Sequence, residues 1–275
     1  MMREKLEEAL REALESGKAR AAVVFTERDG ELVPRLVTSP DDPALDSIYE
    51  GDRRYPTASF AMMVLPLIDG RLALPVRECD RRMLVELEKY NQVDPDRLLL
   101  VGVPCSQEVA DACGCAHPSP PEEITVVGPL AEPAEASPLP EAVAEDPAER
   151  LAFWMDSFSK CIRCMGCRNI CPMCFCEECA LDDPDLVGAD SKPPEIPIFH
   201  LIRAFDMADR CIDCGMCESI CPAEIPLRQL YRLARASVKD AFGYEPGLDA
   251  GELSPLGELG TPADLGGMDE GFRSG

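Results

Sequence analysis

Two cysteine runs, fifty residues apart, constrain this chain more than any other feature. Residues 161–172 read CIRCMGCRNICP and residues 211–222 read CIDCGMCESICP; each is C-x2-C-x2-C-x3-C-P. The match extends upstream, where LAFWMDSFSK aligns with LIRAFDMADR. Leu151, Asp156 and Ile162 stand opposite Leu201, Asp206 and Ile212. Such a unit reads as a helix feeding a binding loop. The stretch from Pro226 to about Phe242 reads as a further helix closing the second copy.

An iron–sulfur cubane needs four thiolates around it, and C-x2-C-x2-C wraps three of its corners with one tight loop. In two-cluster ferredoxins the fourth cysteine, the one before proline, ligates the other cluster. The pattern therefore predicts a first [4Fe-4S] cluster on Cys161, Cys164, Cys167 and Cys221. It predicts a second on Cys211, Cys214, Cys217 and Cys171. Structural zinc also takes four cysteines, but its sites are built from paired C-x2-C knuckles and not from two complete runs ending in Cys-Pro.

The chain has 275 residues and 15 cysteines. Its opening, MMREKLEEALREALESGKAR, is a charged amphipathic helix and not a secretion signal, so the cysteines read as metal ligands in a reducing compartment. No window approaches the uninterrupted apolar run of a membrane span. The formal net charge of −24 disfavours nucleic acid and an anionic membrane surface as partners. The expected location is the cytoplasm.

The fold class expected is an N-terminal α/β domain with a small, mostly parallel sheet, followed by an α-helical, ferredoxin-like domain with two [4Fe-4S] clusters. Residues 1–16 read as a helix, with Leu6, Leu10 and Leu14 on one face, and 21–25 as a short strand. Residues 26–56 are polar and turn-rich. RLALPV (71–76), CDRRMLVELEKYNQ (79–92) and RLLLVGV (97–103) form a strand–helix–strand unit, with EITVVG (123–128) as a further strand. The α/β domain is thus 1–128. Residues 129–150, mostly Pro, Ala and Glu, have linker composition. The dicluster domain runs over 151–242, and 243–275 is an acidic, Gly-rich tail, mobile or laid on a partner.

Seven cysteines remain outside the two runs. Cys79 and Cys105 follow successive parallel strands, so both sit at the carboxyl edge where α/β sheets bind ligands, and Cys113 and Cys115 come a short turn later. These four are a candidate third cluster; the plain alternative is that free cysteine is a small core residue. Cys174, Cys176 and Cys179 are alternative ligands for that third site, or they pack the joint between domains. No residue is assigned a catalytic role. His117 lies in a Pro-rich turn, and His200, in the helix expected at 198–210, reads as a packing or surface residue. Trp154, Phe153 and Phe158 read as apolar packing over the first cluster.

LPVRECDRRMLVELEKYNQ, LLLVGVPC and DACGCAHPSPPEEITVVG resemble the beta subunits of coenzyme F420-reducing hydrogenase and F420-linked formate dehydrogenase. The cysteine-rich part resembles the two-cubane iron–sulfur subunits of heterodisulfide-reductase and formate-dehydrogenase complexes. The resemblance covers about residues 65–235; the paired cysteines here are spaced C-x-C. It implies an iron–sulfur electron-transfer subunit in a larger anaerobic redox complex. Such a subunit would relay single electrons between a catalytic partner, of formate dehydrogenase or hydrogenase type, and an acceptor. It also implies a third cluster at Cys79, Cys105, Cys113 and Cys115. Family members with a full flavin domain bind FAD, so the alternative is a flavin-containing subunit that exchanges hydride with F420 or NAD(P). No Gly-rich dinucleotide turn is present, and no cofactor-binding residue is assigned to FAD.

Overall fold

The computed structural model describes residues 2–136, 145–185, 187 and 195–258. Expectations for 137–144 of the linker, most of 186–194 and the tail from 259 fall outside the described residues.

Helix α1 (Met2–Glu15) buries Leu6, Leu10 and Ala13 on one stripe, and Gly17, at φ +70°, ends it. Strands β1 (Ala21–Arg28) and β2 (Glu31–Val37) form an antiparallel hairpin in which Arg28 faces Glu31. Residues 26–56 are polar and turn-rich in sequence, yet their Asp29–Gly30 pair is a two-residue hairpin signal. Both residues take positive φ, at 52° and 82°. Pro34 disguised β2, and it is tolerated because β2 is an edge strand.

The chain continues through α2 (Thr57–Val64), β3 (Leu72–Val76), α3 (Glu78–Lys89), β4 (Leu98–Gly102), α4 (Gln107–Cys113) and β5 (Thr125–Val126). The sheet order is β2-β1-β3-β4-β5, parallel except for the hairpin. The last strand, expected over 123–128, shrinks to two residues. Helix α2 was not foreseen, because ASFAMMV has no polar face to give it a helical period. Helix α4 was also missed despite local signals: Ser106 accepts from the Val109 N–H at 3.2 Å, and Gly114 closes it at φ +51°.

The second part is helical: α5 (Pro147–Ser159), α6 (Gly166–Asn169), α7 (Glu195–Asp206), α8 (Met216–Ser219), α9 (Leu227–Phe242) and α10 (Pro255–Glu258). Asp146 caps α5, and Gly243, at φ +70°, ends α9. The repeat holds down to the backbone. Helices α6 and α8 are fifty residues apart, and Arg163 and Met165 share left-handed φ with Asp213 and Gly215.

All five residues of β3 are buried, because both faces of the sheet are covered. One face packs on α1 through Leu10, Val24, Ala73 and Val101. The other packs on α2 and α3, and this core runs on without a break into the cysteine-rich part. Leu74, Met83 and Leu87 join Trp154, Met173, Met207, Ile212, Leu227 and Tyr231 in one apolar cluster.

The start of the acidic tail lies on the chain's own α3. Glu86 is fully buried and meets Lys89 Nζ at 2.7 Å, with side chains 0% and 3% exposed. The Tyr244 hydroxyl and the Gly247 N–H both donate to Glu86, at 3.1 and 2.6 Å. Glu245 is ringed by Lys239, His117, Arg82 and Arg235 at 2.9, 3.0, 3.4 and 3.6 Å. Burial by itself would raise its carboxyl. The hydrogen bonds from Lys239 and His117 and the charge of Arg82 overcome that and pull it from the ordinary 4.5 to about 2. A depressed carboxylate contributes stability that is whole above pH 4.5 and is lost as pH falls toward 2. Limited proteolysis across that window is therefore expected to open the tail near 243–250. Glu245→Gln should be cut with little dependence on pH in the same window; equal acid dependence of both proteins would contradict this role.

Candidate metal centres

Each cysteine run follows a helix and opens on a tight loop that only left-handed residues allow. Arg163 at φ 52° and Asp213 at φ 65° are non-glycine residues in a strained region, which is found where loops are held for function. The fold turns backbone donors onto sulfur there: the Arg163 N–H meets Cys161 Sγ at 3.3 Å.

Two voids lie beneath these loops. The first, of about 340 Å3 including its open mouth, is lined by Cys161, Cys164, Cys167 and Cys221, with Pro222 and His200. The second, about 430 Å3 on the same measure, is lined by Cys211, Cys214, Cys217 and Cys171, with Met83 and Arg203. Each void thus takes three cysteines of one run and the last cysteine of the other. Among the described residues no three His, Cys, Asp or Glu side chains converge as ligands of a single ion; the sulfurs surround space instead.

Burial pushes these thiols up. Cys161, Cys167 and Cys211 are raised, Cys214 reaches about 11 and Cys217 lies higher still. As free thiols they hold their protons, and a bound metal would displace them. The donor set, the enclosed space and the unpartnered nitrogens of His200 beside it fit a sulfur-rich cluster.

The two voids differ in exposure. Cys164 is exposed, and Ile162 beside it is 66% exposed, whereas its repeat partner Ile212 is 3% exposed beneath the joint. An aromatic stack backs the first void. Trp154 stacks on Phe158 at 5.7 Å and Phe158 on His200 at 4.6 Å. His200, expected as a packing or surface residue, is fully buried, and burial followed by the Arg203 charge lowers it to about 4.

The four cysteines of the α/β part interact in a chain, and Cys79 also reaches Cys214 of the second void. Cys79, at the start of α3, lies within electrostatic reach of Cys105 and of Cys214. Cys105, after β4, lies within reach of Cys113 and Cys115. Arg54 sits among them, its guanidinium 4.0 Å from Cys79 Sγ and its charge acting on Cys79, Cys214 and Cys113. Asp213 of the second cysteine loop fixes the arrangement. It holds Arg228 at 2.7 Å and Arg232 at 2.8 Å. Both arginines donate to the Cys113 carbonyl, at 2.7 and 3.1 Å. Sequence reasoning missed Arg54, Asp213, Arg228 and Arg232, because nothing local marks residues whose partners lie far along the chain: Arg54 is 25 positions from Cys79, and Arg228 and Arg232 are 115 and 119 from Cys113.

The alternative ligands disperse. Cys174 sits beside Cys171 and accepts from Arg203 at 3.5 Å. Cys179 acts on Arg168 and packs with Met165 and Cys167. Cys176 is exposed.

A cleft of about 1310 Å3, open space included, lies at the carboxyl ends of β1, β3 and β4. Arg53, Arg54 and Arg77 line it with Tyr49, Tyr55 and Cys105.

These features describe an iron–sulfur protein, and the comparisons agree. Residues 205–226 match the 4Fe-4S binding domain, so the chain carries such a domain. Beyond that class, the chain is similar to two particular proteins. Over 112 residues it is 38% identical to the F420-dependent formate dehydrogenase subunit beta of Methanocaldococcus jannaschii, covering 41% of this chain and 29% of that protein. Over 96 residues it is 47% identical to the F420-dependent formate dehydrogenase 1 subunit beta of Methanococcus maripaludis, covering 35% and 24%. The matches therefore span less than a third of the relatives' own length. Among the described residues no helix is long and apolar enough to cross a membrane.

Proposed function

We propose that this chain is the iron–sulfur electron-transfer subunit of a multi-subunit cytoplasmic oxidoreductase of formate dehydrogenase or hydrogenase type. The observation that carries the reading is the pair of voids, each lined by three cysteines of one motif and the fourth of the other. Space between the sulfurs favours cubanes over zinc, whose four ligands crowd within about 2.3 Å of one point. Bound cubanes supply one-electron transfer.

The chain's own residues set the route. The exposed side of the first void, at Cys164 and Ile162, is the face open to a partner subunit. The second void is shielded by the joint with the α/β part. Cys79, Cys105, Cys113 and Cys115 form a third cluster site beside Cys214, so that the path runs from the surface through the joint to the sheet edge. Asp213, through Arg228 and Arg232, holds the Cys113 turn in register with the second cysteine loop.

One observation favours the flavin-containing alternative. The cleft at the sheet edge borders Cys105 and offers four arginines, Arg3, Arg53, Arg54 and Arg77, beside Glu50, Asp52 and Asp80; the arginines suit an anionic redox cofactor such as FAD. A subunit of that kind would exchange hydride with F420 or NAD(P).

Iron, acid-labile sulfide and flavin per chain decide between these readings, measured on protein purified without oxygen, with EPR after dithionite reduction. About twelve irons without flavin, at four per cubane, is the expected result. About eight would reduce the sheet-edge cysteines to packing. Stoichiometric flavin would favour the hydride-handling subunit, and iron bound singly without sulfide would sink the cubane reading.

A further inference from the structure

Helix α7 carries two polar side chains whose burial the packing alone does not explain. His200 and Arg203 are each 1% exposed, and their spacing of three puts them on one helix face. His200 lines the first void and Arg203 the second. Both ring nitrogens of His200, and Nε of Arg203, have no hydrogen-bond partner among the described residues. The other guanidinium nitrogens reach the Tyr231 hydroxyl at 2.6 Å and Cys174 Sγ at 3.5 Å.

A guanidinium buried against a phenol and a thiol is costly, since interior cations are otherwise paired with negative charge. Besides Cys174, the candidates for that charge are the cluster thiolates, of which Cys171 and Cys167 act on Arg203. Arg203 acts on Cys167 of the first set and on Cys171, Cys211 and Cys217 of the second. It therefore stands between the two. The internal repeat supplies a comparison: fifty residues upstream, the position of Arg203 is occupied by Phe153. The arginine is thus a departure from the repeat and not part of what each cysteine loop needs in order to fold.

We infer that Arg203 is a buried counter-cation shared by the two clusters, its free Nε–H directed to sulfur of the second, and that His200 gives a ring N–H to sulfur of the first. The inference rests on the cluster assignment proposed above. A four-thiolate cluster becomes more negative when it takes up an electron. A fixed positive charge and N–H donors inside a low-dielectric joint favour that reduced form. Arg203 is then a tuning residue: it sets how readily the pair accepts electrons, in a protein whose overall charge of −24 opposes them.

The test is an EPR-monitored redox titration of the full chain, unmodified and as Arg203→Met, Arg203→Lys and His200→Leu, with iron and sulfide measured on each. Arg203→Met is expected to disfavour the reduced form of both clusters at least tenfold, a fall of 59 mV for a one-electron couple. Arg203→Lys should recover most of that shift, and His200→Leu should lower the first cluster alone. Full iron with unmoved midpoints in Arg203→Met would overturn the inference while leaving the clusters in place. Fewer than about eight irons in the unmodified protein, at four per cubane, would remove the cluster assignment and the inference with it. If Arg203→Met fails to hold iron, the unmodified protein still decides. Arginine labelled with 15N in the guanidino group should give a nitrogen coupling in pulsed EPR of the reduced clusters that persists in Arg163→Lys and Arg228→Lys, the other arginines lining the two voids. No coupling would overturn the inference.

Discussion

Cys221→Ala is expected to remove the cluster built mainly on the other motif. Cys221 ends the second run, yet it lines the void with Cys161, Cys164 and Cys167. Iron should fall by about four per chain, one cubane's worth. The EPR signal lost should match the one lost in Cys164→Ala. Cys171→Ala should behave in the opposite sense and match Cys214→Ala. The effect extends to stability, because each crossed cysteine ties one copy of the repeat to the other, and metal-binding free energy is folding free energy in such sites. A Cys221→Ala protein that loses the same signal as Cys214→Ala would show that each run ligates its own cluster.

Glu86→Ala is expected to destabilise the protein by about 3–5 kcal/mol, the cost of leaving one member of a buried ion pair unpaired. Among the described residues, Lys89, 3% exposed, would keep only Tyr244 as a partner, through its hydroxyl at 2.9 Å and its ring at 4.9 Å. The Tyr244 hydroxyl and the Gly247 N–H would lose their acceptor together. The loss should appear in urea denaturation as a lower midpoint, and in limited proteolysis as cleavage after Gly243, where the tail leaves α9. Gly247→Ala should weaken the same contact by another route. The residue has φ +79°, and an added Cβ would meet the Arg82 carbonyl oxygen at 2.6 Å. Unchanged unfolding in Glu86→Ala would mean that the tail adds nothing to the fold.

These two substitutions differ in how far the sequence foretells them. The cysteines that line each void could be grouped from spacing alone, because the proline-terminated run spans only a dozen residues and is repeated. The sheet-edge position of Cys79 and Cys105 was also legible, since each follows a strand of an apolar, parallel kind. The Asp29–Gly30 hairpin and the Ser106 and Gly114 caps were legible signals that went unread. Nothing comparable announced Glu86, which in the sequence is one more acidic residue on an amphipathic helix.

The sequence by itself determined the iron–sulfur chemistry, the fifty-residue repeat and the strand–helix–strand unit, because each is a matter of short-range spacing and periodicity. Only the tertiary structure decided which of the two cysteine-lined voids faces solvent, why Ile162 is open while Ile212 is buried, and that the tail starts on α3. It alone brought Asp213, Arg228 and Arg232 to the Cys113 turn, and Arg203 between the two sets of thiols. The physical reason is separation along the chain. Arg228 and Cys113 are 115 residues apart, and Gly247 and Glu86 are 161 apart. No local periodicity reports such pairs; they form when the apolar face of α3 and the apolar residues around the cysteine loops merge into one core, and that burial selects which charged groups end up neighbours.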